Sequence, residues 1–337
     1  MLSNEVAAIL NENKLATVLV GLFSVVGALF IANKTLSFLN LLVDLYVRSG
    51  KSLQQFGAGK GAWAVITGAS DGIGKEFAYQ LAAAKFNILL ISRTRSKLEI
   101  LANEIEGKYG VQTQVYAMDF TKGDLQDYEK LKEVISRLDI GVLINNVATN
   151  HEIPTPFIME SEELINNIVE VNIAGTLRIT KMVVYVMAAK HRGLILNIGS
   201  FAGYVPTPYL SVYSGSKAFL STWSQALGAE LKPKGITVQN VNTYFVVTGM
   251  SKIRRSNFLT PYPKPFVRAV LSKIGVPCGS EYPYTSAAYP SHGLANWLIA
   301  NTFSWSWWEA RNLESHIDIR KRALRKRERE AAAAKSQ

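Results

Sequence analysis

The chain of 337 residues has a single cysteine, Cys278. One thiol can form neither an intrachain disulfide nor a cysteine metal cluster, so the sequence favours a reducing compartment. Metal-ligand spacing is also lacking among the four histidines, and Ser200 does not lie in the nucleophile elbow of a hydrolase. We therefore predict no metal site and no serine-hydrolase chemistry. The histidines are His151, His191, His292 and His316.

Acidic residues are few, since 26 Asp and Glu stand against 37 Lys and Arg and leave a net charge of +11. Much of this excess lies in residues 320–329, near the C-terminus. No aromatic or recognition motif accompanies the run, so nucleic-acid binding is not predicted. Two interpretations remain for it: a solvated helix face, or attraction to anionic lipid headgroups.

Charge is missing altogether from residues 15–32, an apolar run long enough to cross the hydrocarbon core of a bilayer. A cleavable signal peptide is the rival interpretation, but Glu5 and Glu12 stand where it needs basic residues. Basic residues follow the run while only Lys14 directly precedes it. The positive-inside rule then places the rest of the chain on the cytosolic side. We predict an uncleaved transmembrane helix.

Two further apolar segments predict contact with the membrane surface. Residues 36–47 are interrupted by Asn40 and Asp44, which predicts an interfacial helix rather than a second span. Residues 294–308 are short and rich in tryptophan, which favours the bilayer interface. We expect this segment to dip into the membrane or lie along it, and a buried core helix is the alternative.

Residues 60–234 alternate short apolar runs with amphipathic stretches, the pattern of βαβ units around a parallel sheet. A predicted strand at 63–67 runs into a glycine-rich turn and then a helix, which lets the backbone approach a pyrophosphate at the helix N-terminus. The loop of a phosphate-binding NTPase does not fit, because Ala69 replaces its first glycine. The predicted fold class is α/β, a Rossmann-type doubly wound parallel sheet with an N-terminal transmembrane helix and a C-terminal membrane-associated segment. The predicted cofactor contacts of the turn are Thr67, Gly68, Ser70, Asp71, Gly72, Ile73 and Gly74.

The second predicted strand, residues 87–92, ends at Ser92 and Arg93. NAD-binding proteins often carry an acidic residue here that binds the ribose 2′-hydroxyl. A cation without a nearby carboxylate fits a 2′-phosphate instead, so Ser92 and Arg93 predict NADPH. The other interpretation is a solvated basic turn. Later strands lead into Asp119, expected at the adenine edge, and into Asn146 in the run 145–148.

Four motifs agree in order and spacing, and over residues 60–260 the chain resembles the short-chain dehydrogenase/reductase family. That family has the turn T-G-x-x-x-G-x-G, present here at 67–74, and the motif N-N-A-G, which appears as N-N-V-A at 145–148. The last glycine of that motif is Ala148 in this chain. The resemblance implies a catalytic tetrad of Asn172, Ser200, Tyr213 and Lys217, of which Tyr213 and Lys217 also contact the cofactor.

The chemistry of carbonyl reduction accounts for these residue types. Hydride transfer to a ketone produces an alkoxide, which must be stabilised and protonated. Tyr213 is the expected proton donor, and Lys217, on the same helix face, is expected to lower the phenol pKa from its usual value near 10. Ser200 is expected to hydrogen-bond the carbonyl oxygen, and Asn172 to hold a water that returns the proton.

The chain departs from the family after the sixth predicted strand, residues 237–241. Thr243 and Tyr244 replace the usual Pro-Gly pair, which leaves the loop geometry open. Val246 and Thr248 are still expected to contact the cofactor, with Thr248 beside its carboxamide. No seventh strand is predicted in residues 275–290, which are expected to belong to a substrate lid.

Outside this core, the chain is similar to the microsomal very-long-chain 3-oxoacyl-CoA reductases, themselves similar to type 12 and type 3 17β-hydroxysteroid dehydrogenases. The similarity rests on the N-terminal membrane segment, residues 251–255 and 260–263, and the end rich in Tyr and Trp. It implies reduction of a long-chain 3-oxoacyl-CoA during very-long-chain fatty acid elongation at the endoplasmic reticulum membrane. Membrane lipid and the elongase condensing enzyme, dehydratase and enoyl reductase are then the expected partners. A steroid or retinoid reductase and a non-enzymatic NADPH-binding membrane scaffold remain as alternatives.

Basic residues after the sixth strand have two interpretations, binding of coenzyme A phosphates or a charged loop at the membrane surface. They are Lys252, Arg254 and Arg255. The resulting domain plan has a membrane anchor and amphipathic linker at 1–59, a short-chain dehydrogenase Rossmann domain at 60–250, a substrate lid with a membrane-associated segment at 251–310, and a basic cytosolic tail at 311–337.

Overall fold

In the computed structural model, which describes residues 14–335, seven strands form one parallel sheet. The strands are β1 (Trp63–Thr67), β2 (Asn87–Ser92), β3 (Thr113–Ala117), β4 (Ile140–Asn145), β5 (Gly193–Ile198), β6 (Ile236–Val241) and β7 (Thr285–Ser286). Their spatial order is β3-β2-β1-β4-β5-β6-β7, so the order reverses where β1 lies between β2 and β4. This is the arrangement of a doubly wound Rossmann sheet, and the predicted α/β fold class is confirmed.

Helices connect the strands and cover both faces of the sheet. Successive residues of β1 point to opposite faces, so Ala64 and Ile66 belong to one buried cluster and Val65 to the other. Burial on both faces explains why the strands read as continuous apolar runs. The helices are α1 (Lys14–Tyr46), α2 (Gly72–Ala83), α3 (Arg95–Tyr109), α4 (Leu125–Ser136), α5 (Glu162–Val169), α6 (Thr176–Ala189), α7 (Ser211–Leu231), α8 (Pro263–Ser272), α9 (Pro290–Asn301) and α10 (Trp305–Lys335).

The prediction of no seventh strand in residues 275–290 was wrong, because β7 lies there. It has two residues, both polar, and pairs with Asn240 and Val241 at the edge of the sheet. A strand this short has no apolar alternation that a sequence pattern could show.

The N-terminal helix α1 is continuous over 33 residues, so the prediction of a separate interfacial helix at 36–47 was wrong. Its second half packs on the domain, where Leu41 and Leu45 are buried in a cluster with Cys278. Asp44 is also buried and accepts a hydrogen bond from Arg48, which explains how a carboxylate fits on that face. The most apolar stretch of α1 has a mean hydropathy of 2.5 and none of it is buried, as a membrane-spanning segment requires.

The segment at 294–308 does not form one membrane-associated element, because it is divided between α9 and α10. Helix α9 packs against α1, with Trp297 Nε1 donating to Ser37 Oγ at 2.9 Å. One turn further on, Lys34 Nζ donates to Asn301 Oδ1 at 2.6 Å. The apolar helix is therefore fixed rigidly to the domain at the point where it leaves it.

The long C-terminal helix α10 crosses the boundary predicted between residues 310 and 311. It packs back on the domain instead of forming a separate tail. Asn312 Nδ2 donates to the carbonyl of Pro206, and Arg320 Nη1 donates to the carbonyl of Pro154. Both acceptors lie in loops at the carboxyl ends of strands, where Rossmann folds bind their ligands.

Candidate active site

The glycine-rich turn between β1 and α2 is held by Asn146, in the loop after β4. Asn146 Nδ2 donates to the carbonyls of Thr67 and Gly68, each at 3.1 Å, and its amide donates to Thr67 Oγ1 at 3.0 Å. Gly68 and Gly72 have positive φ angles of 65° and 56°. A Cβ at Gly74 would lie 2.2 Å from the carbonyl oxygen of Gly68, so the helix can approach the turn only with glycine there.

This turn could hold a dinucleotide pyrophosphate, because α2 begins at Gly72 and the first amides of a helix are free to bind an anion. Asp71 is the residue before the helix, and its side chain caps no amide. Ser70 and Ile73 are half-buried on either side of it. Thr248 lies against the turn, since a Cβ at Gly72 would come within 3.0 Å of its Cγ2.

The ribose end of the cradle is formed by the end of β2, where Ser92 is buried and Arg93 is exposed. Within residues 14–335, Arg93 forms no ion pair with a carboxylate. Arg95, two residues further on, lies 3.3 Å from Glu99. Arg93 is thus an unpaired cation that could bind a 2′-phosphate.

Two other predicted cofactor residues have intramolecular roles as well. Asp119 accepts hydrogen bonds from the amide and hydroxyl of Thr121, at 3.1 and 2.9 Å, and so caps the turn after β3. The side chain of Val246 is buried in the core cluster, and its carbonyl accepts from Ser251 Oγ at 2.7 Å. Val246 can therefore meet a cofactor only through its backbone.

Tyr213, Lys217 and Ser200 come together at the carboxyl end of β5. Tyr213 and Lys217 lie one turn apart on α7, both are buried, and Lys217 Nζ is 5.7 Å from the centre of the Tyr213 ring. The Ser200 side chain lies near the Tyr213 phenol and acts to lower its pKa. Lys217 Nζ donates to the carbonyl of Ile198 at 2.8 Å, and burial lowers the pKa of Lys217 to about 8.

The expectation that Lys217 lowers the pKa of Tyr213 was wrong for this arrangement. Burial raises the pKa of Tyr213, and the nearby Ser200 side chain only partly opposes this effect. The physical reason is that a buried phenolate loses its hydration, while the Lys217 ammonium is directed at the carbonyl of Ile198. The phenol is accordingly protonated at neutral pH.

Asn172 lies in a π-helical turn, Glu170–Gly175, between α5 and α6. Such bulges occur frequently at functional sites. Its Nδ2 donates to the carbonyl of Thr149 and to Ser216 Oγ, both at 3.0 Å, and its Oδ1 accepts from the amide of Thr149. Ser216 Oγ in turn donates to the carbonyl of Tyr213 at 2.7 Å. Sequence reasoning missed Ser216, although its place within the Tyr-x-x-x-Lys spacing was a usable signal.

The loop that replaces Pro-Gly is organised by His292, which sequence reasoning also missed. The amide of Tyr244 is 3.4 Å from His292 Nδ1, and the other ring nitrogen is 3.0 Å from the carbonyl of Leu259. Burial lowers the pKa of His292 to about 4, so the ring is neutral and can accept at Nδ1 while donating at Nε2. The ring of Tyr244 packs edge-on against Phe201, at a centroid distance of 5.4 Å.

The basic segment after β6 lies at the edge of this site. Lys252 Nζ donates to the backbone carbonyl of Glu152 at 3.0 Å and lies 3.7 Å from its carboxylate. Arg254 and Arg255 are exposed. These cations lie in the loop between β6 and α8, and the predicted role of that loop as a substrate lid stays a prediction.

A dinucleotide cradle beside a buried Tyr-Lys-Ser cluster defines an oxidoreductase that uses a nicotinamide cofactor. Residues 62–258 match the model of the short chain dehydrogenase family, and the chain belongs to that family. It is similar to the very-long-chain 3-oxoacyl-CoA reductase of Neurospora crassa, at 52% identity over 91% of this chain and 93% of that protein. The protein of the same name from Aspergillus oryzae is 52% identical, over 91% of this chain and 89% of its own.

The fold has a counterpart among solved structures. A structure from a study of 7β-hydroxysteroid dehydrogenase stereoselectivity superposes with a TM-score of 0.66 at 22% identity, covering 75% of this chain and 96% of that one. At this level of identity the likeness concerns the fold alone.

Proposed function

We propose that this chain is an NADPH-dependent very-long-chain 3-oxoacyl-CoA reductase, which converts a 3-oxoacyl-CoA into a 3-hydroxyacyl-CoA. The observation that carries the proposal is that a chain 52% identical to reductases of this name also brings Ser200, Tyr213 and Lys217 into one buried cluster. A scaffold without activity would have no use for that cluster.

The roles of the chain's own residues follow from the geometry. When bound, NADPH supplies the hydride that reduces the carbonyl carbon. Tyr213 donates its proton to the carbonyl oxygen, and Ser200, beside the phenol, directs that oxygen toward it. Lys217 Nζ, 5.7 Å from the centre of the phenol ring, provides a positive charge that opposes the effect of burial once Tyr213 has given up its proton. Asn172 fixes the turn of α7 that carries Tyr213, acting through Ser216, and its Oδ1 has a second lone pair for a proton-returning water.

The preference for NADPH rests on Arg93. Its guanidinium is exposed beside the end of β2, and within the described residues no carboxylate neutralises it. An acidic residue at this position would instead bind the free 2′-hydroxyl of NADH. The glycine-rich turn holds the pyrophosphate, and Thr248 and the backbone of Val246 lie at the nicotinamide end.

For the membrane, we propose that α1 spans the bilayer of the endoplasmic reticulum and that the domain faces the cytosol. Basic residues follow the apolar stretch of α1, in agreement with the positive-inside rule. Trp305 and Trp307 are exposed near the point where α1 leaves the domain, as residues at a bilayer interface would be. The condensing enzyme of elongation would supply the substrate, and the dehydratase and enoyl reductase would act on the product.

The orientation has its own test. Protease added to sealed microsomes that contain the full chain should destroy the domain and its activity without detergent. If the domain were protected until detergent is added, the cytosolic orientation and the elongation assignment would both be wrong.

The substrate assignment is tested by NADPH oxidation in microsomes that contain the chain. A long-chain 3-oxoacyl-CoA and a steroid ketone are compared at equal concentrations, with microsomes lacking the chain as the control. We expect oxidation with the acyl-CoA only. Faster oxidation with the steroid would replace the proposal with a steroid reductase.

A further inference from the structure

A cavity of about 300 Å³ lies between the loop after β4 and the C-terminal helix α10. The cavity includes none of Ser200, Tyr213 and Lys217, but hydrogen bonds connect its loop to the segments that carry the catalytic residues. The amide of Thr155 donates to the carbonyl of Tyr209 at 2.8 Å, in the segment that leads directly into the helix of Tyr213. At the other end of the same loop, Thr149 holds Asn172. The cavity therefore lies beside the segments that carry Tyr213 and Asn172.

Arg320 of α10 brings a positive charge to this cavity, where it also acts on Glu160 and lowers the pKa of that carboxyl against the larger effect of burial. Its Nη1 donates to the carbonyl of Pro154 at 2.7 Å and to Thr155 Oγ1 at 3.0 Å, and both acceptors are neutral. In the part of the chain that the structure describes, it makes no ion pair with a carboxylate. The guanidinium is half-buried, so water screens its charge less than it would on the surface.

The carboxylates of the cavity are already engaged. Glu160 Oε1 lies 2.9 Å from His151 Nε2, without the alignment of a hydrogen bond, and both side chains are buried. Burial raises the pKa of Glu160 and lowers that of His151, which favours the uncharged form of each. Glu152 lies 2.6 Å from Arg327 Nη2 and 3.7 Å from Lys252 Nζ, which lies outside the cavity lining. One carboxylate thus faces two cations, and the other is buried against a histidine.

We propose that this cavity binds phosphate groups of the coenzyme A part of the substrate, with Arg320 and Arg327 as the contacting residues. The inference rests on the proposed function, because that function makes the substrate a CoA thioester. Coenzyme A carries its phosphates far from the reacting carbonyl, so their site must lie outside the catalytic cluster yet beside its entrance. Guanidinium groups suit phosphate because their planar fork makes paired, charge-assisted hydrogen bonds. Glu152 holds Arg327 and Lys252 in place and competes with the phosphate for them.

The test compares two thioesters of the same 3-oxoacyl group, one with coenzyme A and one with pantetheine, which has no phosphate. The full-length protein is assayed in an uncharged detergent with saturating NADPH. Arg320→Gln should raise the KM for the CoA thioester about tenfold and leave that for the pantetheine thioester within about twofold. Glu152→Gln should lower the KM for the CoA thioester, because it frees two cations.

Arg322→Gln is the matched control. Arg322 lies on the same helix, is exposed, and pairs with Asp318 at 2.9 Å, so the variant removes one positive charge away from the cavity. Neither KM should change by more than about twofold, since the contribution of an exposed ion pair is small.

Equilibrium binding of free coenzyme A to the wild type and to Arg320→Gln decides the site independently of turnover. Weaker binding of coenzyme A by the variant would support the cavity as the phosphate site. If the wild type also reduced neither thioester, the proposed function would be wrong, but the assignment of the cavity would still stand. An equal rise in KM for both thioesters would show that Arg320 only holds α10 against the domain. An unchanged KM for both thioesters would exclude the cavity as the phosphate site. If the wild type ignored coenzyme A but bound vesicles of anionic phospholipid through Arg320, the cavity would be a headgroup site and the inference would be wrong.

Discussion

The two halves of the sheet differ in the kind of contact that shapes their binding sites. On the nucleotide side, β1 and β2 end in turns whose shape follows from adjacent residues, such as the contact that only glycine permits between positions 74 and 68. On the substrate side, the site is assembled from segments far apart in the chain. The ring of Tyr204, four residues after Ser200, packs 5.3 Å from that of Trp305 at the start of α10. Local sterics dominate the first half, where Asn146 adds one distant contact to the turn, and distant contacts dominate the second.

This difference links the membrane to chemistry on the substrate side only. Helix α1 contacts Trp297, α9 leads into the tryptophan cluster, and Trp305 contacts Tyr204 beside the catalytic serine. The rings of Phe303, Trp307 and Trp308 pack on one another at the same corner. Under the proposed function, a long acyl chain leaving the bilayer would meet this aromatic corner first.

The first prediction concerns Tyr213, the proposed proton donor. Tyr213→Phe should lower the rate of reduction at least about 100-fold, because loss of a general acid typically costs that much. NADPH affinity and the far-UV circular dichroism spectrum should be unchanged, since only a hydroxyl is removed. Retention of more than about a tenth of the wild-type rate would exclude Tyr213 as the acid.

The second prediction concerns Arg93, which belongs to the nucleotide half alone. Arg93→Asp should weaken NADPH binding by about 1 to 3 kcal/mol, because a charge-assisted contact becomes a repulsion, while NADH binding changes far less. Fluorescence titration with both cofactors measures the difference. Lys108→Asp, the same change of charge at the far end of α3, serves as the control. Equal weakening of both cofactors by Arg93→Asp would show that Arg93 does not contact the 2′-phosphate.

The third prediction concerns the pH dependence that Lys217 confers. Its pKa of about 8 means that the ammonium is charged below pH 8 and is lost as the pH rises above it. The raised pKa of Tyr213 keeps the phenol protonated over the same range. The kcat/KM for reduction should therefore fall about tenfold per pH unit above pH 8. A profile that stays flat to about pH 9.5 would contradict a role for the Lys217 charge.

The fourth prediction has the smallest effect and concerns positioning on the substrate half. Ser216→Ala removes the hydroxyl between Asn172 and the backbone of Tyr213, a loss of about 1 kcal/mol. We expect kcat to fall about fivefold with KM unchanged, because the substrate contacts remain. Ser211→Ala, at the exposed start of α7, should change neither constant. A rise in KM without loss of kcat would mean that Ser216 affects binding instead.

Sequence reasoning succeeded where the structure is local. The bounds of β1 and β2 agree with the predicted strands, because each is a buried apolar run that ends at a turn. The Tyr-x-x-x-Lys spacing places Tyr213 and Lys217 on one helix face by geometry alone. The direction of the pKa of Tyr213 was wrong, since burial by residues distant in sequence is invisible in a motif.

The remaining errors share that cause. Residues 36–47 have an interfacial pattern on their own, but Leu41 and Leu45 pack on the segment around Cys278, far along the chain. His292 showed no motif and yet fixes the loop that departs from the family. The basic run at 320–329 is partly a solvated face, as one interpretation held, but Arg320 turns inward to the loop after β4.

The central claim, reduction of a 3-oxoacyl-CoA at Tyr213, is tested most directly by following the hydride itself. The full-length protein is incubated with a long-chain 3-oxoacyl-CoA and NADPH carrying deuterium at both C4 positions, and the product is analysed by mass spectrometry. Wild-type protein should yield 3-hydroxyacyl-CoA with one deuterium at C3, and Tyr213→Phe protein should yield almost none. NADPH consumption without a deuterated 3-hydroxyacyl-CoA would contradict the account.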